Sequence, residues 1–211
     1  MIKAAIFDMD GTLTDTERLY RETWLEMAEK YEQEPSIDFT KAVCGSNGQE
    51  MMDIIHRFYP DIDSKQFMDD TIAMVVFKME KDLPLKEGAK EIVEYLKKKG
   101  LKLGVASSSS HAQIEKNMKK CGLHDYFDVY VGGNEVNNSK PHPEIFQVSA
   151  GKMGVNPEEC YVFEDGMNGL RSGLAAGCQV YMIVDLTPPD DVVAPQCAGI
   201  YDSFLDVMEV L

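Results

Sequence analysis

Several features common in exported and membrane proteins are missing from this 211-residue sequence. It has no apolar run long enough to cross a bilayer, although 44% of its residues are hydrophobic. The start, from Met1 to Phe7, lacks the hydrophobic region and cleavage site of a signal peptide. The five cysteines form no Cys-x-x-Cys pair and have no histidine beside them. These absences predict a cytoplasmic protein whose thiols stay reduced.

Positive charge is also scarce. The chain has 21 Lys and Arg against 36 Asp and Glu, which gives a net charge of −15. Nucleic acids and anionic membranes are bound by basic surfaces, so neither is expected as a partner. A phosphorylated substrate would need local positive charge from a metal ion and a lysine. The absence of long exposed apolar runs favours a monomer.

Two kinds of pattern divide the chain. Residues 2–7 form a short apolar run typical of a buried strand in a parallel sheet. From Glu17 to about Asp82 the apolar residues recur at helical spacing, with no convincing strand. From Pro84 onward strands and helices alternate, with strands predicted at 102–106, 129–131, 161–163 and 180–184 and helices at 87–99, 113–121, 143–153, 170–176 and 204–211. This alternation predicts an α/β fold with a parallel sheet covered on both faces, interrupted by an all-helical insert.

Polar residues follow four of the predicted strands. In a parallel sheet of this kind the ligand site lies beyond the carboxyl ends of the strands, so these residues should meet at one edge. They are Asp8 and Asp10 after the first strand, Ser107 to Ser110 after the second, Ser139-Lys140-Pro141 beyond the third and Glu164-Asp165-Gly166 after the fourth. Clustered carboxylates suit Mg²⁺, and hydroxyls, amides and a lysine suit a phosphoryl group. An aspartate in such a site could attack phosphorus to form an acyl phosphate, and a second carboxyl two residues on could transfer the protons.

These segments resemble the four motifs of the haloacid dehalogenase-like hydrolase superfamily. The motifs occur in order, and the resemblance covers nearly the whole chain. They are Asp8-Met9-Asp10-Gly11-Thr12-Leu13-Thr14-Asp15, Ser107 after Leu103-Gly104-Val105-Ala106, Ser139-Lys140-Pro141-His142-Pro143-Glu144-Ile145-Phe146, and Phe163-Glu164-Asp165-Gly166. Many relatives have serine where this chain has Gly166. Since the carboxylates remain, we expect little loss from this difference.

The resemblance implies a role for each matched residue. Asp8 would be the nucleophile and a Mg²⁺ ligand. Asp10 would be the general acid and base, and would bind the metal through its backbone carbonyl. Asp165 would be a further metal ligand, with Glu164 acting through water. The phosphoryl group would be held by Ser107, a backbone amide of Ser108, and Lys140.

The resemblance also implies two domains. Residues 1–15 and 83–211 would form a Rossmann-like hydrolase core, and 16–82 a helical C1 cap. That places the chain in the branch of the beta-phosphoglucomutases, phosphoglycolate phosphatases and small sugar-phosphate phosphatases, so its partner would be a small phosphorylated metabolite. Substrate choice is expected from five residues of the cap: Tyr20, Trp24, Ser46, Asn47 and Gln49.

This branch contains both phosphatases and mutases. Beta-phosphoglucomutases carry a histidine where this chain has Tyr20 and a lysine where it has Ser110. They also carry an arginine in a Gly-x-Ser-Arg context, which is missing from residues 44–48. Because these side chains would hold a second phosphate, their absence favours a phosphatase over the alternative, a phosphomutase. The complete motifs argue against an inactive ligand-binding member, and the presence of Asp10 argues against a dehalogenase.

Overall fold

The computed structural model describes residues 1–44, 46, 48–185 and 190–211. The chain divides into two compact units, one formed by Met1–Asp15 with Pro84–Leu211 and the other by Thr16–Leu83. Within the described residues, every helix is too short or too polar to span a bilayer.

The unit formed by Thr16–Leu83 is helical in its described part. Its helices are α1 Thr16–Lys30, α2 Ile37–Val43, α3 Gly48–Phe58 and α4 Ser64–Lys81. Ser36 and Asp63 cap α2 and α4, since their side chains accept hydrogen bonds from the backbone N–H groups of Phe39 and Gln66. Buried aromatic rings hold the helices together: Trp24 packs against Phe39 and Phe67 at centroid distances of 5.6 Å.

The other unit is built on a six-stranded sheet in which every pairing is parallel. The strands are β1 Ala4–Phe7, β2 Lys102–Ser107, β3 Val129–Gly132, β4 Cys160–Glu164, β5 Gln179–Ile183 and β6 Gly199–Tyr201. Their order in space is β3-β2-β1-β4-β5-β6, which puts β1 in the middle. All four residues of β1 are buried because both faces of the sheet are covered.

Helices cover both faces of this sheet. They are α5 Ala89–Lys98, α6 His111–Lys120, α7 Glu144–Met153, α8 Met167–Ala176 and α9 Phe204–Met208. The apolar residues of α5, α6 and α9 pack with Ala5 and Phe7 on one face. Those of α7 and α8 pack with Ala4 and Ile6 on the other. The predicted fold class is therefore confirmed: an α/β core with a parallel sheet, and a separate helical unit.

Two short elements were not predicted. The strand β6 has only three residues, none of them fully buried, and it extends the edge of the sheet beside β5. The helix α2 has seven residues and begins after a loop that contains Pro35. Elements this short carry too few periodic positions for the sequence pattern to identify them.

Candidate active site

Asp8 lies at the carboxyl end of the central strand, directly after Phe7. Its backbone N–H donates to the carbonyl of Phe163 at 2.9 Å, which continues the β1–β4 pairing, and the residue is 7% exposed. The chain then turns sharply, with the N–H groups of Leu13 and Thr14 both donating to the carbonyl of Met9. Gly11 occupies this turn at a φ of +84°, a conformation that favours glycine. The turn thereby carries Asp10 and Thr12 to the same edge of the sheet.

Lys140 joins the first and fourth motifs. Its Nζ donates to Asp8 Oδ1 at 2.5 Å, to Glu164 Oε1 at 2.6 Å and to the carbonyl of Ala106 at 3.2 Å. The side chain is only 7% exposed. Burial alone would lower the pKa of Lys140, but the charges of Asp8 and Glu164 outweigh it and hold the pKa above its usual value. Lys140 is therefore a fixed positive charge beside Asp8.

Glu164 uses both oxygens of its buried carboxylate. While Oε1 accepts from Lys140, Oε2 accepts from the backbone N–H groups of Asp165 and Gly166 at 3.0 and 2.9 Å. The same carboxylate therefore holds both the Lys140 ammonium group and the backbone of the loop after β4. This arrangement makes Glu164 a residue that positions its neighbours.

Asp165 completes a group of three acids. Thr12 Oγ1 donates to Asp165 Oδ1 at 2.6 Å. Carboxylate oxygens of Asp8, Glu164 and Asp165 all lie within 4.8 Å of one another. Burial, followed by the charge of Glu164, raises the pKa of Asp165 to about 7. Burial also raises the pKa of Asp8, although the Lys140 charge opposes it. Three carboxylates beside one lysine leave an excess of negative charge that a divalent cation would neutralise.

Asp10 faces the serines that follow β2. Ser109 Oγ donates to Asp10 Oδ2 at 3.1 Å, and the backbone N–H of Ser109 donates to Ser107 Oγ at 3.1 Å. Partial desolvation raises the pKa of Asp10, while the Ser109 hydrogen bond and the charge of Lys140 act in the opposite direction. Ser107 is 1% exposed and Ser108 is exposed. Among the described residues, the carboxylate of Asp10 lies outside the group of three acids and is hydrogen-bonded to Ser109 instead.

The loop that carries Lys140 is held at both ends. The carboxylate of Glu144 accepts hydrogen bonds from the backbone and side-chain N–H groups of Asn137 and Asn138, at 2.8 to 3.2 Å. On the other side of Lys140, Ser172 Oγ in α8 donates to the carbonyl of His142 at 2.7 Å. These contacts fix the backbone from which the lysine reaches Asp8.

Comparison with known proteins agrees with this geometry. The family model of the haloacid dehalogenase-like hydrolases matches residues 2–177. The chain belongs to the haloacid dehalogenase-like hydrolases. The resemblance identified from the motifs is confirmed.

Curated relatives of this hydrolase include proteins named as phosphatases. A phosphorylated carbohydrates phosphatase of Thermotoga maritima is 33% identical over 188 residues, which cover 87% of this chain and 86% of the relative. The fructose-1-phosphate phosphatase YqaB of Escherichia coli is 33% identical over 177 residues, covering 82% and 91%. The prediction of a hydrolase acting on phosphoric monoesters is confirmed by the family together with these phosphatase relatives.

A solved structure of a related protein has a similar fold. The beta-phosphoglucomutase of Clostridium difficile superposes with a TM-score of 0.65 at 24% identity, covering 99% of this chain and 96% of that one. At this identity the likeness concerns the fold alone.

The residues expected to select the substrate of the hydrolase differ in their burial and contacts. Trp24 is 3% exposed and belongs to the core of the helical unit. Tyr20 is partly buried against the same core. Ser46 Oγ donates to the carbonyl of Val43 at 2.7 Å, and Gln49 Nε2 donates to Asp53 at 2.8 Å on an exposed surface. Asn47 lies outside the described residues.

Two residues at this site have contacts that the motifs did not predict. Ser109 was given no role of its own, but its hydroxyl donates to Asp10, while Ser110 caps α6 by accepting from the N–H of Gln113. Thr12 lies inside the first motif, yet its bond to Asp165 joins residues 153 positions apart. A contact over that separation leaves no local signal in the sequence.

Proposed function

We propose that this protein is a magnesium-dependent phosphatase that hydrolyses a small phosphorylated carbohydrate through an aspartyl-phosphate on Asp8. The observation that carries the proposal is the position of Lys140, whose ammonium group contacts Asp8 on one side and Glu164 on the other. A lysine buried beside the candidate nucleophile supplies the positive charge that a phosphoryl group needs in a chain of net charge −15.

The donor set fits Mg²⁺. Asp8 and Asp165 offer carboxylate oxygens near each other, and we infer that the backbone carbonyl of Asp10 adds a third oxygen. Glu164 already accepts three hydrogen bonds, so its part is to hold Lys140 and, through water, to support the metal. The bound ion would supply charge neutralisation for a phosphoryl group close to several carboxylates.

Residues of the chain itself carry out the two steps of the reaction. A carboxylate oxygen of Asp8 attacks phosphorus, and the bond from phosphorus to the sugar oxygen breaks as the Asp10 carboxylic acid gives that oxygen a proton. Asp10, now a carboxylate, takes a proton from water, and the resulting hydroxide attacks phosphorus and releases Asp8 and inorganic phosphate. Ser109 holds the Asp10 carboxyl in place for both transfers, and Lys140 and Ser107 hold the phosphoryl oxygens.

The relatives support the substrate class. One is named for phosphorylated carbohydrates, and another for fructose 1-phosphate. Within the helical unit, Tyr20, Ser46 and Gln49 remain the residues proposed to choose among such substrates. Replacing Gln49, which is exposed, with Ala should change the order of KM values across a panel of sugar phosphates.

The deciding experiment is a phosphate-release screen with and without Mg²⁺. The panel should include hexose 1-phosphates, hexose 6-phosphates, hexitol phosphates and phosphoglycolate. We expect turnover of at least one sugar phosphate that stops when EDTA removes the metal. Acid-quenched reactions should show a phosphoryl group on the peptide containing Asp8. No turnover on any phosphomonoester with Mg²⁺ present would contradict the proposal.

The Asp8→Asn variant provides the matched control. Since the amide cannot attack phosphorus, activity should fall by at least about a thousandfold. The fold should persist, because the substitution removes one charge from a repelling group of acids. A mutase would instead convert beta-glucose 1-phosphate into glucose 6-phosphate, so formation of that product at a rate rivalling phosphate release would overturn the phosphatase assignment.

A further inference from the structure

A second ionic cluster lies in the same unit as the three acids. Lys86 Nζ lies 2.7 Å from Asp185 Oδ1 and 3.6 Å from Asp15 Oδ1. The side chains of Lys86 and Asp185 are only 15% and 10% exposed. Backbone hydrogen bonds bring Lys86 and Asp15 together, since the N–H of Lys86 donates to the carbonyl of Leu13 and the N–H of Asp15 donates to the carbonyl of Pro84. This pairing anchors Lys86 beside the segment that begins with the first motif.

Asp185 is incompletely satisfied. Its Oδ2 is buried and has no hydrogen-bond partner among the described residues. A buried carboxylate oxygen without a partner is costly, so the presence of Asp185 calls for an explanation beyond its ion pair with Lys86.

The sheet places Asp185 beside the metal-binding acids. Glu164 pairs with Met182 in the β4–β5 register, so Asp165 follows β4 and Asp185 follows β5 at the same edge of the sheet. Adjacent strands of a sheet lie about 4.8 Å apart, so the charge of Asp185 lies near the acids that follow β4. The negative charge of Asp185 therefore reaches the group that would hold the cation.

We propose that Asp185 and Lys86 form an electrostatic pair that tunes the affinity of the neighbouring cation site, Asp185 strengthening cation binding and Lys86 restraining it. The inference rests on the proposed function, because it assumes that Asp8 and Asp165 hold Mg²⁺. Neither Asp185 nor Lys86 contacts the cation. They are positioning residues that act through the charge they place near Asp165.

Substitutions of Asp185 and Lys86 are expected to shift the Kd for Mg²⁺ in opposite directions. Asp185→Asn removes a negative charge and should raise the Kd for Mg²⁺ on the order of fivefold, as expected for one charge acting on a divalent ion across a partly solvated region. Lys86→Met leaves Asp185 unneutralised and should lower the Kd by a similar factor. Lys86→Arg keeps the charge and should leave the Kd unchanged.

The test is a Mg²⁺ titration of the metal-free protein, read as heat by calorimetry and as the rise of Tm with Mg²⁺ concentration. Lys97→Met is the matched control, because Lys97 pairs with Asp128 at the opposite edge of the sheet. It removes the same charge and should leave the Kd unchanged. Because Lys86→Met buries an unpaired acid, the Lys86→Met/Asp185→Asn double variant, whose Kd should return close to that of the wild type, guards against misfolding.

Shifts of opposite sign, with wild-type values for Lys86→Arg and Lys97→Met, would support the inference. Shifts in the same direction, or none in either single variant, would overturn it while leaving the phosphatase assignment intact. A wild-type protein that binds no Mg²⁺ would overturn both. If the Mg²⁺ affinities shift as expected but no phosphomonoester is hydrolysed, the electrostatic pair stands and the proposed function falls.

Discussion

The carboxylate of Glu164 lies directly against the α-carbon of Gly169. A methyl group built on Gly169 would sit 1.6 Å from Oε1, the oxygen that accepts from Lys140. Gly169 lies within α8, where glycine is less favourable than alanine by about 1 kcal/mol. The contact with Glu164 therefore explains why the first turn of α8 carries the poorer helix former.

Replacing Gly169 with Ala should displace the Glu164 carboxylate and with it Lys140. We expect kcat/KM to fall by about tenfold to a hundredfold, because the charge proposed to hold the phosphoryl group moves. Stability should fall by about 1–3 kcal/mol, since steric crowding in a packed region exceeds the gain in helix propensity. Steady-state kinetics and urea unfolding measure both effects.

The control for this substitution is Gly151→Ala in α7. An added methyl group there meets nothing within 4 Å, so stability should rise by about 0.5–1 kcal/mol and activity should not change. Wild-type activity in Gly169→Ala would show that Glu164 has no part in placing the lysine.

Gly166 should tolerate the serine that many relatives carry at this position. A Cβ added to Gly166 would lie 3.6 Å from its nearest neighbour, Glu164 Oε2, which is an ordinary van der Waals distance, and Gly166 does not have a positive φ. We expect Gly166→Ser to keep kcat and KM within about twofold of the wild type. A large loss of activity would mean that the loop after β4 depends on glycine here, contrary to the expectation from the motif.

Glu144 should matter for activity although it is remote from the three acids in the sequence. In Glu144→Gln an NH2 group that cannot accept hydrogen bonds replaces one acceptor oxygen, so about half of the contacts to Asn137 and Asn138 are lost and the loop before Lys140 loosens. We expect kcat/KM to fall by about tenfold, mainly through KM for the phosphorylated substrate. The exposed Glu209→Gln change is the control. Unchanged kinetics would show that Lys140 is held in place without the hydrogen bonds of Glu144.

The stability of the metal-free protein should depend on pH through Asp165. Its pKa is raised from 3.8 to about 7, chiefly by burial and then by Glu164, so folding favours the protonated form. Between pH 3.8 and about 7 the unfolded chain has lost this proton while the folded protein keeps it. The free energy of unfolding therefore falls as the pH rises through this range. Asp165→Asn should be more stable than the wild type near pH 8, on the order of 1–2 kcal/mol, and about equal near pH 4. Urea unfolding in EDTA tests this, and a less stable variant near pH 8 would refute it.

Glu135 should show the opposite pH dependence. Burial would raise its pKa, but the N–H of Gly132 and the side chains of Lys152 and His111 lower it to about 2. The contribution of Glu135 to the free energy of unfolding is therefore complete above about pH 4.5 and is lost as the pH falls through about 2. Because the residue is exposed, Glu135→Gln should cost only about 1 kcal/mol near pH 7 and nothing near pH 2. Thermal unfolding across this range measures the difference, and a cost that persists near pH 2 would argue against the assigned contacts.

Much of this site followed from local patterns in the chain. Asp8 and Asp165 were predicted because acids directly follow apolar strands, and parallel strands end at a common edge. Lys140 follows no strand directly, and only its motif distinguished it from a solvated surface lysine. The short elements α2 and β6 were missed because seven and three residues do not show a period.

The α/β alternation, the helical insert and the residues at the ends of the strands could all be predicted from the chain, because they depend on the periodicity and order of nearby side chains. Which of those residues touch could be seen only in the folded protein. The bond from Ser109 to Asp10, the contact of Glu164 with Gly169 and the pairing of Lys86 with Asp185 join different segments of the chain. Each depends on ångström-scale packing between elements, which no local pattern of residues records.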